Sequence, residues 1–386
     1  MSQSALPETE YRDRLARIQT GLAAAGAGAL LLSTDADLRY VAGFLTRFWE
    51  SPTRPWFLLV PARGDPVAVI PSIGQALMAR TWVRDIRCWR APDMSDDGVS
   101  LLLHTICDLL PAGGTLALPE GLGTTLRMPY ADQRRLEAGL AAQGRRIGGD
   151  GRLLERLRSV KSPAEITLVR ATCACAGRAF ARVPEIAAEG VPLSQVFRDF
   201  QALCLAEGAD WVPYLAGAAA PGGYGDVISP ADDRPLARGD VLMLDTGLIR
   251  QGYFCDFDRN FSLGPPLPEV ARAHERLIEA TQAAFALARP GARVCDLFHA
   301  MDRIVTGGAG GSGAGRLGHG LGLQLTEQPS LIPEDETVLE PGMVLTLEPG
   351  IDLAPGRMLV HEENIVVQAG HTEWLTGPAD AAILEL

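Results

Sequence analysis

The sequence predicts two domains of different class: an α/β domain over residues 1–155 and an α+β domain over residues 156–386. Three observations carry this reading. The chain has 386 residues, 47% hydrophobic and 21% charged, a globular composition with enough length for two cores. In the first part, short apolar runs alternate with helical patterns; in the last part, strands come in pairs separated by tight turns. Between them, the charged segment 150–161 leads into Ser162-Pro163-Ala164-Glu165, a helix-start signal.

Residues 8–27 read as an amphipathic helix closed by Gly26 and Gly28, and residues 29–33 as a buried strand. The apolar stretch 38–44 and a polar, aromatic loop at 46–54 follow. Strands are expected at 55–60, 66–71 and 115–118, and a helix at 101–110. In the second domain Ser162 suits the N-cap, Pro163 the first helical position, and Glu165 the partner position of a capping box. One helix runs on to residue 189 and another spans 193–207; a helix pair is expected at 269–288 and 294–304. The Gly-rich segment 307–318 contains G-x-G-x-x-G at Gly313–Gly318. A helix precedes it and Gly-punctuated sequence follows, so it reads as a loop entering a strand rather than a dinucleotide site.

The net charge is −12, with no dense Lys/Arg run, which argues against a nucleic-acid partner. Seven scattered Cys, an odd count, argue against a disulfide scaffold and favour a reducing cytoplasm. Cys173 and Cys175 would face different sides of a helix and read as buried thiols. The N-terminus has no apolar h-region, so no signal peptide is expected. No apolar run is long enough to span a membrane.

Two hairpins carry the chemistry. Residues 241–245 and 252–257 read as paired strands; a turn centred between Arg250 and Gln251 places Asp245 opposite Asp256, about 5 Å apart. Two carboxylates so close repel unless a cation lies between them. Asp258 falls on the same face. In the second hairpin, residues 343–348 pair with 358–367, and a turn at Pro355 sets Glu348 opposite Glu362, with Glu363 facing away. A slip of one residue would exchange those faces. His319, flanked by Gly318 and Gly320, offers an imidazole where backbone can approach closely. Four carboxylates and one His favour Mn, Co, Fe or Zn, and bridging carboxylates suit two ions about 3.5–4 Å apart.

These motifs resemble those of the creatinase/prolidase/methionine aminopeptidase superfamily. They are Asp245-Thr246-Gly247, Gly252-Tyr253 with Asp256 and Arg259, His319-Gly320-Leu321-Gly322, Glu348-Pro349-Gly350 and Glu362. The linker RSVKSPAE at 158–165 also resembles the start of that family's catalytic domain. The resemblance implies a creatinase-type N-terminal α/β domain and a pita-bread catalytic domain. It further implies two divalent metal ions, Mn foremost, held by Asp245, Asp256, His319, Glu348 and Glu362. The implied reaction is hydrolysis of a C–N bond by a metal-bridging hydroxide, with Glu348 handling the proton. The implied substrate is an Xaa-Pro peptide or small amide, and the implied assembly a homodimer.

Two departures stand out. Where the peptidases carry a second His after the metal His, this chain has Thr326 before Glu327. Where they carry a His upstream of the first Asp, no His occurs between Leu205 and Arg272. Those imidazoles bind substrate and stabilise the tetrahedral intermediate; Thr326 can donate one hydrogen bond but carries no charge. Asp258 replaces a usual Thr. Arg47, Trp49 and Arg54 are candidates for holding substrate if N-terminal loops approach a partner's site, and Tyr224 for lining it. Two other readings stay open: a lyase acting on an osmolyte such as dimethylsulfoniopropionate, with Asp258 as the base, and a non-catalytic binding protein on the same scaffold.

Overall fold

The computed structural model describes residues 6–51, 55–310 and 315–386. Contacts divide the chain into Met1–Arg158 and Ser159–Leu386, slightly beyond the expected position. Arg158 explains the offset: its guanidinium donates to Asp37 Oδ1 at 3.0 Å, with both side chains buried. The helix Leu153–Ser159 is thus anchored to the first unit.

The first unit is built on a six-stranded sheet: β1 (Ala29–Leu32), β2 (Phe57–Pro61), β3 (Val67–Pro71), β4 (Asp85–Trp89), β5 (Thr115–Leu118) and β6 (Arg146–Gly149). The order is β4-β3-β2-β1-β5-β6. The β1–β2 and β2–β3 pairs are antiparallel and the others parallel. The three central strands are buried along their whole length, as their unbroken apolar runs require. The edge strands β4 and β6, DIRCW and RIGG, are partly exposed. Their polar residues hide any strand pattern in the sequence. The apolar stretch at 38–44 belongs to the helix Asp35–Ala42, which Thr34 caps by accepting from Asp37 N–H and Gly43 ends at φ 69°.

In the second unit the capping box forms as expected: Glu165 N–H donates to Ser162 Oγ, and Ser162 N–H donates to Glu165 Oε2 at 3.0 Å. The helix stops at Phe180 rather than running to 189. Pro184 lies just beyond, inside a 3-10 turn at Val183–Glu185, where an α-helix would lose a hydrogen bond. Both Cys173 and Cys175 are buried in this helix.

Two sheets follow. The first contains β7 (Trp211–Pro221), β8 (Asp240–Arg250), β9 (Tyr253–Phe254) and β10 (Phe257–Ser262); the second contains β11 (His319–Gly320), β12 (Glu327–Ser330) and β13 (Val344–Leu347). β14 (Gly350–Ala354) and β15 (Arg357–Val360) form a separate hairpin. β16 (Glu363–Val367) and β17 (Thr372–Trp374) complete the second sheet, and β18 (Leu384–Glu385) the first. The helices Pro268–Leu287 and Val294–Val305 bury Leu277, Ala284, Leu297, Phe298 and Met301 against Leu345, Leu347, Ile365 and Val367. Each of the Leu, Ile, Val, Phe and Met side chains among them contributes roughly 1.5–3 kcal/mol. Among the described residues, no helix is long and apolar enough to cross a membrane.

Candidate metal centre

The first hairpin differs from expectation by one residue in its turn. Gln251 and Gly252 are its two central residues, both with positive φ (51° and 87°), the backbone signature of a two-residue primed turn. Arg250 therefore faces Tyr253, and Asp245 directly faces Asp258, not Asp256. The face is preserved because the pairing moves by two positions. Asp256 lies in the break between β9 and β10. Asn364 holds it there: Asp256 N–H donates to Asn364 Oδ1 at 3.0 Å, and the Asn364 amide donates back to Asp256 O.

The second hairpin keeps the expected register. Leu347 faces Glu363, and Gly350 faces Val360. Glu348 and Glu362 occupy the interruption between those ladders. Glu362 N–H donates to Asp258 Oδ1 at 3.0 Å. Glu363 turns the other way, onto Arg259 at 3.1 Å and onto Ala379 N–H at 2.8 Å. Burial pushes the Glu363 carboxyl up, but Arg259 and His361 outweigh it and carry it down to about 2.

His319 sits on a strand squeezed between neighbours. A Cβ on Gly318 would lie 2.3 Å from Thr346 O, and one on Gly320 would lie 2.4 Å from Gln328 O, so only glycine fits on either side. His319 Nδ1 lies 2.8 Å from Gly320 O; a proton there leaves Nε2 as the acceptor. Nε2 lies 3.4 Å from Asp256 Oδ2. Burial, and secondly Arg316, push the imidazole pKa down, favouring the neutral form that ligates metals.

Asp256, His319 and Glu362 each offer a ligand atom within 4.8 Å of the others. One oxygen each of Asp245, Asp256, Asp258 and Glu362 is buried without a hydrogen-bond partner. Unsatisfied buried acceptors carry a desolvation cost. Burial raises the carboxyls of Asp245 and Glu362 well above their ordinary range, and the neighbouring Asp256 raises them further. Burial likewise moves Glu348 to about 7. A divalent cation removes both penalties, so this donor set of hard oxygens and one imidazole fits the metals its chemistry suggests.

The residues 167–369 match the model of metallopeptidase family M24, and residues 14–160 match the creatinase/prolidase N-terminal domain. The chain belongs to metallopeptidase family M24. Among its M24 relatives is the probable dipeptidase PepE of Mycobacterium tuberculosis, 30% identical over 359 residues, covering 92% of each chain. An Xaa-Pro dipeptidase of Pyrococcus horikoshii is 30% identical over 227 residues, covering 58% of this chain and 64% of that one. The crystal structure of dipeptidase PepE from Mycobacterium ulcerans superposes with a TM-score of 0.82 at 27% identity, covering 98% of this chain and 99% of that one. A recombinant prolidase from Thermococcus sibiricus shares the fold, with a TM-score of 0.85 at 23% identity over 97% and 99% of the two chains. This M24 member is accordingly a metal-dependent hydrolase of the peptidase type, built as a mixed α/β N-terminal domain and a pita-bread catalytic domain.

Around the M24 site, other expected residues take different places. Asp258 is buried opposite Asp245, 3.3 Å from His361 Nδ1. Thr326 accepts from Arg316 Nη2 at 3.3 Å. Tyr224 is a correction: it is fully buried, donates to Asn260 Oδ1 at 2.9 Å and accepts from Val360 N–H at 2.8 Å. A phenol satisfied on both sides inside the core pins the β14–β15 hairpin and reaches no substrate. In the first unit, Arg47 is exposed. Trp49 packs on Trp56 with ring centroids 6.0 Å apart, and the Arg127 guanidinium lies 5.3 Å over it. Arg54 lies outside the described residues, as do residues 311–314 of the Gly-rich segment. Sequence reading missed Tyr214, which donates to Asp245 Oδ2 at 3.0 Å, and also Asn364, His361 and Arg316. Only Arg316 carried a local signal, as a cation three residues before His319.

Proposed function

We propose that Asp245, Asp256, His319, Glu348 and Glu362 hold two divalent cations, Mn foremost with Co, Zn or Fe as alternatives. We propose further that the site cleaves the peptide bond of an Xaa-Pro dipeptide or a similarly small amide. The observation that carries this is the set of buried, unpartnered carboxylate oxygens gathered around His319. Bound cations supply polarisation of the scissile carbonyl and an acidified water.

The protein's own groups do the rest. Glu348, beside the bound cations, would accept a proton from the attacking water and return it to the departing amine. Tyr214 and Asn364 fix the orientations of Asp245 and Asp256. Thr326 contributes a neutral hydrogen bond in place of an imidazole. The name of the Pyrococcus relative, an Xaa-Pro dipeptidase, supports the substrate class. All seven thiols are unpaired, which supports a reducing, cytoplasmic setting, and the family resemblance supports a homodimer whose Arg47, Trp49 and Arg54 approach the partner's site.

The test is proline release from a panel of Xaa-Pro and non-prolyl dipeptides by Mn-loaded and chelator-treated protein, with metal content measured alongside. Metal-dependent release, fastest for Xaa-Pro, is expected. Full metal occupancy without turnover of any peptide overturns the reading.

A further inference from the structure

Asp258 and His361 form a buried acid–imidazole pair to which the reaction above gives no role. Asp258, His361 and Glu363 are each 1% exposed. His361 stands between the two acids: Nδ1 lies 3.3 Å from Asp258 Oδ1, and Nε2 lies 3.2 Å from Glu363 Oε1. Neither ring nitrogen has an aligned hydrogen bond, so these contacts act by charge. Glu363 has a second cation, Arg259, at 3.1 Å. Asp258 differs: among the described residues, His361 is the cationic group within ion-pair distance of its carboxylate. Both residues also hold backbone next to metal ligands. Glu362 N–H donates to Asp258 Oδ1 at 3.0 Å, and His361 N–H donates to Pro349 O at 3.1 Å. Pro349 directly follows Glu348.

We infer that Asp258 and His361 act as one positioning unit for Glu362 and Glu348, and that Asp258 is neither a ligand nor a base. This rests on the metal-ligand reading above. Glu348 and Glu362 lie in the interruption between two ladders, where no strand alternation fixes their directions. Asp258 supplies the acceptor that fixes the Glu362 peptide, and the His361 backbone ties that peptide to the residue after Glu348. The acceptor is itself an acid, and it stands opposite Asp245. A fifth carboxylate beside four crowded ones adds repulsion unless a positive group offsets it. His361 is that group. The Asp that replaces a usual Thr at 258 is thus accommodated by an imidazole at 361, and the two side chains depend on each other.

The experiment loads the full chain with Co(II) and reads its affinity and its visible absorption, which reports ligand geometry. Asp258→Ala removes the acceptor and should lose about 10–100-fold in affinity, with an altered spectrum. Asp258→Asn keeps an acceptor for Glu362 N–H and should restore the wild-type spectrum and most of the affinity. It is isosteric, so it carries the test by itself where the alanine variant does not fold. On the Mn-loaded chain with an Xaa-Pro dipeptide, kcat should follow the same order with KM nearly unchanged. Urea unfolding of chelator-treated protein tests the pair without metal. His361→Leu should lower the midpoint, and adding Asp258→Asn should raise it again, because Glu363 keeps Arg259 while Asp258 no longer carries a stranded charge. An Asp258→Asn spectrum as altered as that of Asp258→Ala makes Asp258 a ligand and overturns the inference. A wild-type spectrum with no turnover makes it a base and does the same, as do purely additive losses in the double variant. Absence of Co(II) uptake by wild type, with recovery of the double variant intact, overturns the metal-centre reading alone.

Discussion

The two acidic hairpins of the catalytic domain use different means to bring carboxylates together. In the first, Asp245 sits inside a continuous buried strand, while Asp256 sits in a gap that Asn364 bridges. In the second, Glu348 and Glu362 both lie in the interruption between two ladders of one register. The interruption matters because strand residues alternate strictly between faces, whereas residues in a gap take individual directions. It lets Glu362 face the centre and its neighbour Glu363 face a separate cluster with Arg259 and Thr376. Consecutive acids of the same type therefore have unlike environments, one crowded and raised, the other paired and lowered.

The largest effect that can break this comparison comes from exchanging the two neighbours. Glu362→Ala should abolish one cation's binding and reduce activity by more than the roughly 10–100-fold typical of residues that only support ligands. Glu363→Ala should retain metal stoichiometry but lose about 3 kcal/mol of stability in urea unfolding, since Arg259 and Ala379 N–H lose their partner. Equal metal loss in both variants would erase the distinction.

A smaller effect concerns pH. Glu348 is raised to about 7 in the folded protein, from an ordinary value of 4.5. A carboxyl raised on folding contributes stability below its unfolded value and loses it as pH rises through the folded one. Chelator-treated protein should therefore lose thermal stability as pH rises towards and past about 7. Added Mn should stabilise it, increasingly so at higher pH, because the ligands bind deprotonated. A metal-induced shift that is independent of pH would contradict the crowding of these acids. The smallest effect is at the turns: Gly252→Ala and Gly356→Ala, at φ of 87° and 72°, should each cost about 1 kcal/mol, with metal stoichiometry unchanged.

Much of this was legible in order of strength of local signal. The capping box at Ser162, the apolar central strands and the glycine-flanked His319 each depend on neighbours a few residues away. The register of the second hairpin was readable from its Pro-Gly turn. The first was misplaced by one residue because Gln251, rarely left-handed, shares the turn with Gly252. The edge strands β4 and β6 were missed because their polar sequences depend on the sheet for their shape. Tyr224 was misread because a tyrosine near a site motif looks the same in sequence whether its hydroxyl faces substrate or is satisfied within the core.

The sequence by itself determined the family, the two-domain order and the five candidate ligands, because these rest on residue types at fixed spacing. Only the tertiary structure decided what surrounds them. Asn364 reaches Asp256 and Tyr214 reaches Asp245 across separate strands, and Arg316 meets Thr326 across the turn that follows His319. Side-chain direction at a strand break is set by packing and hydrogen bonding, not by periodicity, and so the positions that orient the acids carry no pattern to be read in advance.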